Sequence, residues 1–114
     1  VLIEGAGGWR VPLNGRELLS GLAVELQAPV VLVVGMKLGC ISHALLTADA
    51  IKADGLRLAG WVANRIDPDM SCFEENVSTL KALLPAPCLG VVPYLKGEKR
   101  GFDNVAKFLD VSIL

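Results

Sequence analysis

Four stretches of this chain carry side chains whose types and spacing could do chemistry. The first is Glu4-Gly5-Ala6-Gly7-Gly8. A carboxylate at a strand end, followed by glycines, can hold Mg²⁺ while the backbone comes close to a phosphate or a substrate. Gly-rich turns with solvated carboxylates are common, and the spacing alone favours that plainer reading. No Gly-Lys-Ser/Thr follows, so this is not a Walker phosphate loop. The second stretch, Lys37-Leu38-Gly39-Cys40-Ile41-Ser42-His43, opens a helix whose first amides attract anions, with Lys37 adding a charge. Ser42 reads there as an ordinary N-cap. His43 is the sole histidine, with no carboxylate or cysteine at ligand spacing, and reads as structural. Cys40 lacks the partners of a nucleophile and reads as a small packing residue.

The third is Asn64, at a strand end. Its amide offers one acceptor and two donors, which suits the edge of adenine; a turn-forming asparagine fits the sequence about as well. Trp61, just before it, reads as core rather than as a stacking platform. The fourth is Pro93-Tyr94, which could wall a base pocket or simply end a strand. The basic run Lys96, Lys99 and Arg100 reads as a solvated surface with a weak anion signal.

These residues need elements to position them. Val1-Leu2-Ile3 is a β-branched-rich run that predicts a first strand. Glu17 to Gln27 carries Leu18, Leu19, Leu22, Ala23 and Leu26 on one helical face. Val30 to Val34 is apolar throughout, as in a parallel strand buried on both sides. A helix follows to about Ala53, with Ala44, Leu45, Ala48 and Ile51 inward. Leu56 to Ala63 predicts a third strand, Ser71 to Leu84 a helix with Phe73, Val77, Leu80 and Leu84 in one stripe, and Cys88 to Val92 a fourth strand. A short helix is expected near Asn104 to Leu109. Alternating strands and helices imply a parallel α/β sheet with right-handed crossovers. All four chemical stretches then fall at the carboxyl ends of strands, where open α/β sheets bind ligands.

Composition narrows the classes. With 114 residues the chain is one domain, and 53% hydrophobic against 20% charged residues excludes a disordered segment. A net charge of −1 gives no pull toward nucleic acid or an anionic membrane. The longest apolar run, Pro29 to Val34, is far short of the roughly 20 residues that span a bilayer. Three scattered cysteines, Cys40, Cys72 and Cys88, read as reduced, buried thiols of a cytoplasmic protein. The opening on Val1, with no initiator Met and no basic leader, predicts a fragment of a longer product.

Taken together and in order, these strings resemble dethiobiotin synthetase. They are Val1 to Trp9, Val33-Val34-Gly35 leading into Lys37 to Ile41, Leu58 to Asn64, Pro85-Ala86-Pro87, and Leu89-Gly90 with Pro93. The resemblance covers essentially the whole chain. It implies the C-terminal portion of one P-loop NTPase domain, a Rossmann-like three-layer α/β/α fold, with the N-terminal P-loop half missing from residues 1–114. It implies ATP and Mg²⁺, and the carboxylation of 7,8-diaminononanoate with CO₂ followed by ring closure to dethiobiotin. Glu4 is then a Mg²⁺ ligand, and Gly5, Ala6 and Gly7 line the nucleotide and carbamate site. Asn64 reads adenine with Arg65 beside it, and Pro93, Tyr94 and Leu95 close the base pocket. Leu38, Gly39, Cys40 and Ser42 fall in the substrate-carboxylate region near a homodimer interface.

Ser42 stands where similar enzymes often carry Asn, and Lys96 to Arg100 departs from the family pattern. The P-loop Lys and Thr, a second metal-binding Asp and the substrate-activating Lys and Ser are absent, and Lys37 follows a different strand and does not replace them. The fragment is therefore expected to be inactive alone, and an exposed apolar edge strand to make it poorly soluble or dimeric. The competing readings are a nucleotide-binding module related to cobyrinate amidases or partition ATPases, and a non-catalytic remnant.

Overall fold

The computed structural model describes every residue from Val1 to Leu114. Three strands, β1 (Val30–Gly35), β2 (Leu58–Asn64) and β3 (Cys88–Val92), form one sheet in that order, and both pairings are parallel. Helix α1 (Ser20–Leu26) leads into β1, α2 (Cys40–Ala53) connects β1 to β2, and α3 (Phe73–Leu83) connects β2 to β3. A 3₁₀ turn over Gly97–Arg100 and a short α4 (Phe102–Ala106) follow β3. The parallel α/β sheet with flanking helices is the fold class that the pattern predicts.

The helices form where apolar spacing and charge agree. In α2, Cys40, Ala44, Ala48 and Ile51 are buried on one face, and Leu45 packs against the same core from its margin. In α3 the stripe of Phe73, Val77 and Leu80 is buried, continuing to Leu84. Glu74 and Glu75 occupy the first turn of α3 and Lys81 its last, matching the helix dipole at both ends. Both helices cover the same face of the sheet, over Val34, Trp61 and Ala63. Trp61 is fully buried at the centre of that core.

The opposite face is covered only in part. Val62, Leu89 and Val92 pack beneath Val105, Phe108 and Leu109. The chain after α4 passes so close to Gly90 that a Cβ there would collide with the Phe108 carbonyl. It then makes an antiparallel bridge from Gly90 to Leu109, and Asp110 N–H donates to the Leu89 carbonyl at 2.7 Å. The Asp110 carboxylate accepts hydrogen bonds from the Ser112 hydroxyl and amide, which hold its pKa below the ordinary 3.8.

The run from Val30 to Val34 is a parallel strand but not one buried on both sides, since Val31 and Val33 are exposed on the face that α2 and α3 leave open. Four further expectations fail, each for a local reason. Val1-Leu2-Ile3 is not a strand: the three residues are exposed and no strand pairs with them, and an unpaired run has no ladder to hold it extended. Ser42 does not cap α2. The N-cap lies three residues earlier, at Gly39 in the left-handed region (φ 93°), so Ser42 sits inside the helix's first turn. The first helix starts at Ser20 because Val11 to Leu19 instead close a loop, with Leu19 N–H donating to the Val11 carbonyl and Asn14 Oδ1 accepting from the Arg16 and Glu17 amides. Finally, of the three cysteines expected to be buried only Cys40 is: Cys72 is exposed as the left-handed N-cap (φ 53°) of α3, and Cys88 is half-buried in β3.

Candidate functional site

At the carboxyl ends of β2 and β3 the backbone is tied across strands. Met36 N–H donates to the Asn64 carbonyl at 2.8 Å, and Arg65 N–H to the Val92 carbonyl at 2.9 Å. These bonds fix Asn64 between the two strand ends, while its side-chain amide makes no hydrogen bond within the protein. The Asn64 amide therefore retains its full donor and acceptor capacity for a ligand.

A cleft of about 450 Å³ opens there. Its walls are Asn64, Arg65 and Ile66 on one side and Val92, Pro93, Tyr94 and Leu95 on the other, with Arg100 and Val105 closing it. The lining is mostly apolar with a few polar groups, the usual make-up of a small-molecule site. Ile66 is held in place because Gly35 leaves room for it: a Cβ there would stand 2.9 Å from Ile66 Cδ1. Arg100 Nε donates to the Leu95 carbonyl at 2.9 Å and so fixes the rim.

Arg65 is largely spent on its own loop. Its guanidinium lies 4.4 Å from the Phe73 ring centroid, and Nη2 donates to the Pro68 carbonyl at 3.1 Å. Nε is buried without a partner. The side chain braces the turn that follows Asn64, through a cation–π contact and a hydrogen bond.

The loop after β1 has a different character. Met36 is fully buried, whereas Lys37, Leu38 and Gly39 are exposed, Leu38 almost completely. Cys40 is buried as a packing residue, its thiol 3.8 Å from Asn76 Oδ1, so its side chain offers nothing to a surface ligand. Cys40 N–H bonds to the Lys37 carbonyl and His43 N–H to that of Gly39, leaving the Ile41 and Ser42 amides without protein acceptors. Free amides at the start of a long helix can receive an anionic group, and exposed Ser42 and Lys37 stand beside them.

Glu4, Gly5, Ala6 and Gly7 are not brought to the cleft. All four are exposed, and Glu4 makes neither a hydrogen bond nor an ion pair. The chain just after them is anchored elsewhere: Trp9 Nε1 donates to Asp54 Oδ2 at 2.7 Å, and Arg10 pairs with Asp54 Oδ1 at 3.1 Å. Asp54 caps the C-terminal end of the 14-residue α2, about 21 Å of helix away from its start after β1. No group of three or more His, Cys, Asp or Glu gathers where it could hold a metal.

Asn64, Arg65, Pro93, Tyr94 and Leu95 thus share one cleft; Leu38, Gly39 and Ser42 share the neighbouring loop; Glu4 to Gly7 lie apart. Ile66, Arg100 and Val105 were invisible as wall residues in the sequence. Arg100 stood in a basic run that reads as solvated surface, and Val105 reaches the cleft only because the C-terminal segment folds back on β3.

Comparison with known proteins bears on this geometry. A protein-family model described as an AAA domain matches residues 1–99. The chain is 66% identical over 113 residues to an ATP-dependent dethiobiotin synthetase BioD of Cellvibrio japonicus, covering 99% of this chain and 49% of that protein. It is 68% identical over 110 residues to the Pseudomonas aeruginosa protein of the same name, covering 96% of this chain and 47% of that one. With the Vibrio campbellii protein of that name it shares 54% identity over 114 residues, the whole of this chain and 49% of the relative. The chain therefore spans about half the length of the curated relatives it matches.

Proposed function

Since the chain belongs to the AAA domain family, we propose that it is the nucleotide-base-binding, C-terminal portion of an ATP-dependent dethiobiotin synthetase, acting in biotin synthesis in the cytoplasm as part of a homodimer. The observation that carries this reading is the unpaired Asn64 amide, fixed at a strand end in an apolar cleft walled by Pro93, Tyr94 and Leu95. High identity to proteins named as ATP-dependent dethiobiotin synthetases supports the choice of reaction.

In this reading the adenine of ATP enters the cleft edge-on to Asn64 and lies against the Pro93-Tyr94-Leu95 wall. Arg65 keeps the turn beside Asn64 in shape. Lys37, with the free amides of Ile41 and Ser42, faces the carboxylate of 7,8-diaminononanoate across Leu38, Gly39 and the Cys40 backbone. One amine of that substrate takes up CO₂ as a carbamate, ATP transfers its γ-phosphoryl group to the carbamate oxygen, and the second amine attacks the carbonyl carbon and expels phosphate, closing the cyclic urea of dethiobiotin and leaving ADP. Glu4 and the Gly5-Ala6-Gly7 backbone belong to the phosphate side of the site. One exposed carboxylate does not hold Mg²⁺ by itself, so the ion's remaining ligands and its charge-neutralising role depend on groups outside these residues. Catalysis by the chain alone is not expected, because each missing preorganised group typically costs about 10²–10³ in rate.

The test is a dethiobiotin-forming assay with 7,8-diaminononanoate, bicarbonate, Mg²⁺ and ATP. It is run on the chain alone and on the chain fused behind the half of the Cellvibrio japonicus relative that it does not span. Turnover in the fusion alone, lost in Glu4→Gln, supports the proposal; an inactive but folded fusion sinks it. A second reading, a base-binding module without this chemistry, draws on the separation between Glu4 and the cleft. It predicts a fusion that binds ADP and forms no dethiobiotin.

A further inference from the structure

A planar base has a polar edge and two apolar faces, and a cleft that holds it has to serve all three. Asn64 is placed for the edge, and Pro93, Tyr94 and Leu95 for one face. Across from them stands Ile66, an aliphatic side chain left 46% exposed in the wall of the cleft. It follows the end of β2 by two residues, so an open apolar surface lies beside the unpaired Asn64 amide.

The end of β1 sets where Ile66 stands. Gly35 pairs in register with Asn64, and the Met36 N–H bond to the Asn64 carbonyl ties the two strand ends together. The Ile66 side chain comes back over Gly35: a Cβ there would stand 2.9 Å from Ile66 Cδ1 and 3.8 Å from Cγ1. Ordinary carbon–carbon contact is about 3.5–4.0 Å, so only Cδ1 would be struck. Gly35 does not take a left-handed φ, so its backbone needs no glycine. What the glycine supplies is the space of one methyl group, and Ile66 Cδ1 uses it. Ile66 lines the cleft and Gly35 does not, so a side chain pushed off Gly35 moves into the cleft. We propose that Ile66 is the platform for the second face of the base, and that Gly35 is the positioning residue that keeps the slot open by letting Ile66 lie back. The proposal rests on the reading of this cleft as a base site.

The experiment measures ADP binding by calorimetry on the parent chain, Gly35→Ala, Ile66→Val and the double variant. Ile66→Val removes the atom that the new methyl group would strike and leaves only the 3.8 Å contact. Gly35→Ala should weaken ADP binding about tenfold by crowding the slot, with circular dichroism unchanged. Ile66→Val should weaken it about fourfold, the effect of one methylene no longer buried. The double variant should match Ile66→Val alone, at about fourfold instead of the about fortyfold loss that independent effects would give. In the unliganded parent, the Ile66 δ-methyl protons should show a nuclear Overhauser contact to the Gly35 α-protons. ADP bound equally by the parent and Gly35→Ala, or a fully multiplied loss in the double variant, overturns the positioning role and leaves the base reading standing. A parent chain that binds no ADP overturns both. Should Gly35→Ala not fold, Ile66→Ala decides: a loss of about tenfold or more supports the platform, and unchanged affinity overturns it.

Discussion

The cleft around Asn64 and the segment from Glu4 to Gly8 both looked like strand-end loops, yet only the first is built as one. Asn64 is held from both sides, by the Met36 amide on its carbonyl and by β3 on the residue after it. Glu4 follows three residues with no strand to pair with, and its segment is carried to Asp54 at the other end of α2. A strand-end site is a property of paired strands. The loop inherits its geometry from the ladder before it, and without a ladder the same residues take whatever local anchor they find.

The comparison breaks most readily at Trp61, fully buried in the core on β2 three residues before Asn64. Trp61→Ala should cost about 3–5 kcal/mol by leaving a cavity in the core, seen as a lower urea midpoint together with loss of ADP binding. An unchanged midpoint would show that the cleft does not depend on the β2 core. Next comes the brace. Arg65→Met should cost about 1–2 kcal/mol through the lost contact with Phe73 and the lost bond to Pro68. It should weaken ADP binding only indirectly, so retention of affinity with reduced stability would separate bracing from ligand contact.

Asn64→Ala sharpens the contrast from the other direction. Its amide has no protein partner, so stability should stay within about 0.5 kcal/mol while ADP binding, measured by calorimetry, falls about tenfold, the equivalent of one hydrogen bond. Asp54→Ala should release Trp9 and Arg10, shifting the tryptophan emission and costing about 1 kcal/mol, with ADP affinity untouched; a change in affinity would mean that the two regions communicate. The smallest effect concerns acid. The Asp110 pKa is lowered by its bonds to Ser112, so this turn's contribution is present above the ordinary carboxylate value. It is lost as pH falls through the lowered one, and the Ser112 amide resonance should titrate there while the cleft amides do not.

Much of this was legible in the chain. The continuous apolar run at Val30 to Val34 announced a parallel strand, and the spacing of Phe73, Val77, Leu80 and Leu84 gave the buried face of α3 with no error in a residue. Trp61 as core and Cys40 as packing also followed from type and position. Asn64, Pro93 and Tyr94 were found because strand ends are marked by the residues that stop strands. The N-cap was misplaced by three residues, at Ser42 instead of Gly39, because a glycine in the left-handed region can start a helix without any capping side chain, and nothing in the string Leu38-Gly39-Cys40 distinguishes the two starts.

What the sequence determined by itself are the periodicities, which are local: which residues are helical, which face inward and where strands stop, since spacing of 3.6 or continuous apolarity needs no distant partner to be read. What only the tertiary structure decided is pairing. It left Val1-Leu2-Ile3 outside the sheet, turned Arg65 onto Phe73, brought Arg100 and Val105 to the cleft and left one edge of β1 open. Each of those outcomes depends on which distant segment supplies a hydrogen-bond ladder or a packing surface, and no local pattern encodes which one arrives.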